Sequence, residues 1–182
     1  MFSAESEQKL NEMGARMIKA QCFHDVYFDT NDFKLALSDF WLRQRDGRWE
    51  LKCPPPNRHE GDPMATQYAE YTQQVDIVKA VTPVLQPTKD EHEPLKVINP
   101  DLMSVSQVVE SFGCCEIANY RTDRKTYSVQ DFRVDLDSAD FGFQVGEIEV
   151  LVSDERKISD ALHQIRGLAQ KLGLYNINSS LI

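Results

Sequence analysis

The stretch WLRQRDGRWELK, Trp41 to Lys52, decides how this chain folds. Asp46-Gly47 is a two-residue hairpin signal, because glycine accepts the positive φ that a type I′ turn demands. Side chains alternate along a strand, so Trp41, Arg43 and Arg45 share one face. With Asp46 and Gly47 as the loop, Arg45 pairs with Arg48, Arg43 with Glu50, and Trp41 with Lys52. Leu42, Gln44, Trp49 and Leu51 then point the other way, toward a core. The first face gathers several cations, which repel one another unless something anionic sits among them.

The surrounding composition makes that cationic face local. The chain has 182 residues and a formal net charge of −9, so wrapping nucleic acid, where phosphate contacts dominate affinity, is a poor fit. A hydrophobic fraction of 41% and an aromatic fraction of 9% suit one soluble globular domain spanning 1–182. No run approaches the roughly 20 apolar residues that span a bilayer. The first residues, MFSAESEQKL, have neither the basic nor the apolar region of a signal peptide. Cys22, Cys53, Cys114 and Cys115 form no CxxC, and adjacent Cys114-Cys115 is a poor disulfide geometry. His24, His59, His92 and His163 lack ligand spacing. A cytoplasmic protein with reduced thiols, no zinc, no membrane and no nucleic-acid partner is the expectation.

Outward from the hairpin, SAESEQKLNEMGA reads as a helix ending at Gly14. MIKAQCFHDVYFDT reads as one long or two short strands running into a polar turn at Asp29 to Asp32. TQYAEYT reads as a strand, and VDIVKAVTPVL as a short helix that Pro83 interrupts. NRHEGDPMA and QPTKDEHEPLKV read as loops. PDLMSVSQVVESFG reads as a helix with Pro100 near its start and Gly113 past its end. EIANYRTDRKTYSV and FRVDLDSADF read as strands joined near Gln130-Asp131, and FQVGEIEVLVS as a further strand. ISDALHQIRGLAQKLG places Leu162, Ile165, Leu168, Ala169 and Leu172 on one face of a helix that Gly173 closes. INSSLI begins another strand. The pattern is α+β with a largely antiparallel sheet.

A second charged set lies late in the chain. RVDLD puts Arg133, Asp135 and Asp137 on one face, and GEIEV puts Glu147 and Glu149 on one face. Asp135, Glu147 and Glu149 converge if the two strands pair through the turn near Asp140 to Gly142. Three carboxylates together are costly unless a cation joins them. Hard carboxylate oxygens suit Mg²⁺ or Mn²⁺, and Mg²⁺ binds through a few carboxylates plus substrate phosphates. Arginines clamp phosphate oxygens in bidentate fashion, and Lys52 adds a point charge. Trp41 offers a π-face to a cationic or aromatic group. Each feature has a plainer reading beside this one. Arg-x-Arg and Glu-x-Glu are common on solvated sheet faces, and a lone tryptophan commonly packs.

The strings VYFDT, WLRQR, WELKCP, TQYAE, YRTDR and RVDLDSADFGFQVGEIEV follow one another in this order. Together they resemble the CYTH superfamily of triphosphate tunnel metalloenzymes, and most closely its animal thiamine-triphosphatase branch, from about Asp25 to Val152. The resemblance implies a largely antiparallel β-barrel, the triphosphate tunnel, with flanking helices. By that resemblance Arg43, Arg45, Lys52 and Arg124 are triphosphate ligands, and Trp41 stands beside a thiazolium ring. Asp137 contacts substrate or its waters, Glu70 lines the tunnel, and Asp135, Glu147 and Glu149 hold Mg²⁺. The implied activity is hydrolysis of thiamine triphosphate to thiamine diphosphate and phosphate by a monomer. The alternatives are an inorganic triphosphatase, a nucleoside-triphosphate enzyme of the same fold, or a polyphosphate-binding form without turnover. The family's first strand carries ExExK. ESEQK spells it with Glu5, Glu7 and Lys9, but close to Gly14 and leading into a helical pattern, where Glu5 and Glu7 do not share a face. The fold is therefore expected to be incomplete at both termini, with Ser180 near the place of a basic residue of the family's last strand.

Overall fold

The computed structural model describes residues 2, 4–55, 68–87, 94–152 and 157–174. Among them, β1 (Arg16–Asp29), β2 (Trp41–Arg45), β3 (Arg48–Cys53), β4 (Ala69–Tyr71), β5 (Cys115–Val129), β6 (Phe132–Ala139) and β7 (Gln144–Val150) form one sheet. Its order is β4-β3-β2-β1-β5-β6-β7. The β1–β2, β2–β3, β3–β4, β5–β6 and β6–β7 pairs are antiparallel. Helices α1 (Ala4–Glu12), α2 (Lys34–Leu37), α3 (Gln74–Leu85), α4 (Val105–Ser111) and α5 (Ile158–Leu172) accompany the strands. This is the expected α+β, antiparallel arrangement. The strand expected over 66–72 is present as β4, its first two residues lying outside the described residues; INSSLI, the loop at 57–65 and part of the loop after Gln86 also lie outside them. No described helix is long and apolar enough to cross a membrane.

The chain divides into two compact bodies, and β1 and β5 run through both. In the body comprising His24–Pro54 and Ala69–Tyr120, the central hairpin has the expected register, with Arg45 opposite Arg48, Arg43 opposite Glu50 and Trp41 opposite Lys52. Asp46 and Gly47 both take positive φ, 49° and 79°, as a type I′ turn requires. The Asp46 carboxylate accepts from the His24 backbone N–H at 2.9 Å, which ties the hairpin tip to β1. Leu42 and Leu51 pack with Ile77, Val78 and Val81 of α3 and Val105 and Val108 of α4.

Three local features of this body differ from expectation. The segment after β1 is not only a turn. The buried Asp29 carboxylate accepts from the backbone N–H groups of Thr30, Leu35 and Ala36 at 2.7, 2.9 and 2.8 Å, which starts α2 and buries Leu35. Pro83 does not interrupt α3, which runs on to Leu85. In the last turn a proline forfeits one backbone bond without breaking the helix. Pro100 does not start α4 either; the helix begins at Val105, behind a capping box of Ser104 and Gln107.

The other body holds the segment up to Phe23 and the chain from Arg121 onward. Its core joins Leu10 of α1, Tyr127 and Val129 of β5, Phe132, Val134 and Leu136 of β6, Ile148 of β7, and Ile165, Leu168, Ala169 and Leu172 of α5. Gly173, at φ 71°, ends α5 as the spacing predicts. The chain then lays Leu174 on β7 at Gly146, where an added Cβ would stand 3.1 and 3.2 Å from the Leu174 methyl carbons. Ile165 is fully buried in this core. Ile165→Ala is expected to destabilise the protein by about 2–5 kcal/mol, measured by urea denaturation.

Candidate functional site

In the body that begins at His24, the anion among the cations comes from β1. The β1–β2 register sets Asp25 opposite Arg45 and Tyr27 opposite Arg43. Asp25 is 2% exposed. Arg45 donates to both of its oxygens, from Nε at 2.8 Å and Nη2 at 2.7 Å. Arg43 donates from Nε and Nη2 to Glu50 at 3.0 and 2.8 Å, and from Nη1 to the Tyr27 hydroxyl at 3.1 Å. Its Nη1 is also 3.8 Å from Asp25. Burial opposes the Arg43 charge, but Tyr27, Asp25 and Glu50 outweigh it and raise the guanidinium pKa. The Tyr27 ring stacks on Tyr120 at 5.9 Å.

Lys52 lies across β3–β4 from Glu70, with Nζ 3.9 Å from its carboxylate. Trp41 is 40% exposed, and its indole N–H donates to Asp39 at 3.0 Å. Asp25, Tyr27 and Tyr120 were not among the residues singled out in the sequence. The available signal was the spacing of Asp25 and Tyr27 in HDVYFD, which puts them on one strand face.

The acidic set lies in the other body, on β5, β6 and β7. Asp135 stands opposite Thr126 on one side and Glu147 on the other; Arg124 faces Asp137, and Arg133 faces Glu149. Directly paired residues share a face, so Thr126, Asp135 and Glu147 form a row. Arg124 forks onto Asp137 with Nε and Nη2 at 2.6 Å each, and its Nη1 reaches Asp135 at 2.8 Å. Its guanidinium lies 5.3 Å from the centre of the Phe23 ring. Arg133 donates to Asp135 at 3.2 and 2.9 Å, and its Nη1 lies 3.6 Å from Glu149. Asp135, 1% exposed, is thus shared by two guanidinium groups.

Four properties of this set fit a small divalent cation. One carboxylate oxygen from each of Asp135, Glu147 and Glu149 lies within 4.8 Å of the others. The four carboxylates Asp135, Asp137, Glu147 and Glu149 outnumber the guanidinium groups of Arg124 and Arg133 by two. Burial, and then the neighbouring Glu147, push the Glu149 carboxyl above its ordinary value, a tension that a bound cation relieves. All donors are hard oxygens of the kind Mg²⁺ and Mn²⁺ take. The buried Thr126 hydroxyl in the same row has no hydrogen-bond partner among the described residues, an arrangement that costs about 1–3 kcal/mol.

Glu5, Glu7 and Lys9 lie on α1, as the helical pattern predicts. Glu7 accepts from Lys125 Nζ at 2.8 and 3.0 Å and from the Tyr127 hydroxyl. Lys125 and Tyr127 alternate with Arg124 and Thr126, so Glu7 is on the opposite face of β5 from the acidic row. These bonds, Lys125 first, hold the Glu7 carboxyl below its ordinary value of 4.5, while burial and then Glu7 push the Tyr127 hydroxyl up to about 12. Ser180 lies outside the described residues.

Two outcomes follow from these pairings. Asp25→Ala leaves two mostly buried guanidinium groups short of a partner, and is expected to cost about 3–5 kcal/mol in urea denaturation. The Glu7 pKa is lowered in the folded state, so its contribution is full above 4.5 and lost as pH falls through the lowered value. In Glu7→Gln that part of the acid-side loss should vanish, and the stability gap from the parent protein should narrow as pH drops; stability curves of both proteins against pH check it.

The CYTH domain model matches residues 2–180. The chain is 34% identical to the thiamine-triphosphatase of Homo sapiens, over 93% of this chain and 73% of that protein. It is 32% identical to the thiamine-triphosphatase of Macaca fascicularis over the same shares. Among solved structures, a Pyrococcus horikoshii protein superposes with a TM-score of 0.58 at 17% identity, covering 96% of this chain and 88% of its own. A conserved hypothetical protein of Pyrococcus furiosus gives 0.54 at 18% identity, covering 96% and 87%. These two likenesses bear on the fold alone. The match along nearly the whole sequence, together with this level of identity, places the chain in the CYTH domain family.

Proposed function

We propose that the protein is a triphosphatase-type hydrolase that converts thiamine triphosphate to thiamine diphosphate and phosphate with Mg²⁺. The observation that carries this reading is the row of hard oxygens at Asp135, Glu147 and Glu149, within 4.8 Å of one another and set among two arginines. The names of the mammalian relatives support the substrate.

In this reading Asp135, Glu147 and Glu149 hold the cation. When bound, the cation offsets the charge on the phosphates and polarises the bond to be broken. Arg43, Arg45, Lys52 and Arg124 serve as phosphate ligands. A phosphate oxygen pair has the same fork geometry as a carboxylate. Asp25, Glu50 and Asp137 therefore hold the guanidinium groups in orientations that suit phosphate. Such positioning and charge stabilisation supply most of what phosphoryl transfer needs. Asp137 contacts substrate or its waters beside Arg124. Trp41, half exposed, presents its ring to the thiazolium. The protein acts as a monomer in the cytoplasm.

Phosphate release from thiamine triphosphate, with and without Mg²⁺, beside tripolyphosphate and ATP, tests the reading. Turnover should require Mg²⁺ and favour thiamine triphosphate. Glu147→Gln should lower kcat/KM roughly 100-fold, the scale of losing one charge-stabilising group. Trp41→Ala should raise KM for thiamine triphosphate about tenfold, as loss of a cation–π contact implies, and leave tripolyphosphate unaffected. Turnover that ignores Mg²⁺ and Glu147 would refute the assignment.

A further inference from the structure

We propose that the Thr126 hydroxyl is a fourth oxygen of the cation site, joined to the cation through a water that the cation carries. The inference rests on the metal-binding reading above and adds a side chain outside its carboxylate set. Thr126 is 2% exposed, and its Oγ1 has no hydrogen-bond partner among the described residues. Buried hydroxyls in folded proteins are almost always paired, so an orphan marks a missing partner.

The position says which partner. Thr126 is directly opposite Asp135, and Asp135 is directly opposite Glu147, so the hydroxyl continues the row of carboxylates on the same sheet face. Arg124, two residues away on that face, is committed to Asp137 and Asp135. Lys125 and Tyr127, its chain neighbours, point to the opposite face and engage Glu7. A threonine hydroxyl accepts as well as donates. Mg²⁺ keeps several of its waters when bound by carboxylates, and a water on the cation has protons to give. Thr126 thereby orients the hydrated cation without carrying charge of its own.

Mn²⁺ binding to the full chain, without substrate, tests this by calorimetric titration of the parent protein, Thr126→Val, Thr126→Ser and Glu147→Gln. Valine keeps the branched shape and removes the hydroxyl; serine keeps the hydroxyl. Thr126→Val is expected to weaken Mn²⁺ about tenfold, the lower end of what an outer-sphere partner supplies. Thr126→Ser should stay within about threefold of the parent, and the metal-free melting midpoint of Thr126→Val should not fall, because the orphaned hydroxyl is gone. If Thr126→Val binds as tightly as the parent while Glu147→Gln does not, the role of Thr126 is overturned and the carboxylate site stands. If Thr126→Ser weakens Mn²⁺ as much as Thr126→Val, packing rather than the hydroxyl is responsible and the inference fails. If the parent protein binds no Mn²⁺, the inference and the metal reading fall together.

Discussion

A carboxylate buried between two guanidinium groups organises each body of this protein. Asp25 lies between Arg43 and Arg45, and Asp135 between Arg124 and Arg133. A buried anion is tolerated only with close, well-aligned counter-charges, so each aspartate dictates where its arginines stand. The arginines are then held in place before any ligand arrives. The two sets differ in balance. Around Asp25 the charges are near parity, with Glu50 on Arg43 and Glu70 on Lys52. Around Asp135 the acids exceed the arginines. That difference leaves the first set close to neutral and gives the second a net negative charge.

The pleat of the sheet lets the same strands serve stability and chemistry. Val134, Leu136 and Ile148 fill the core under α5, while Asp135, Asp137, Glu147 and Glu149 alternate with them on the other face. On β5, Thr126 and Arg124 belong to the charged face, and Tyr127 and Val129 to the core. A one-residue slip would exchange the two sets and bury the carboxylates among aliphatic side chains. The core thus enforces the register on which the acidic row depends.

What could be read from sequence, and what could not, divides by range. The hairpin, its register and the acidic row were legible because the pleat and a two-residue turn are local rules, visible in WLRQRDGRWELK and in RVDLD and GEIEV. The amphipathic face of α5 was legible for the same reason. Asp25 was not, because its meaning depends on which strand β1 pairs with. The short α2 escaped because its first turn is held by a carboxylate several residues upstream, at Asp29. At α4, the Ser104 to Gln107 capping box was present in the letters but Pro100 drew the helix start too early. ESEQK shows the reverse error that letters invite. The string matches a family motif, yet its residues follow a helical period, and Glu7 bonds on the far face of β5.

Gly146 carries a consequence for how such a protein can diverge. It sits beside Glu147 in β7, with Leu174 resting where a side chain would be. The residue has no charge and no functional group, so an inventory of ligands passes over it. Yet a larger residue there meets the Leu174 side chain, which must give by a few tenths of an ångström if the strand that carries Glu147 and Glu149 is to keep its place. Position 146 is therefore a place where genetic drift can shift a charged face without altering one charge, and a change arising there would leave every charged residue of the sequence intact.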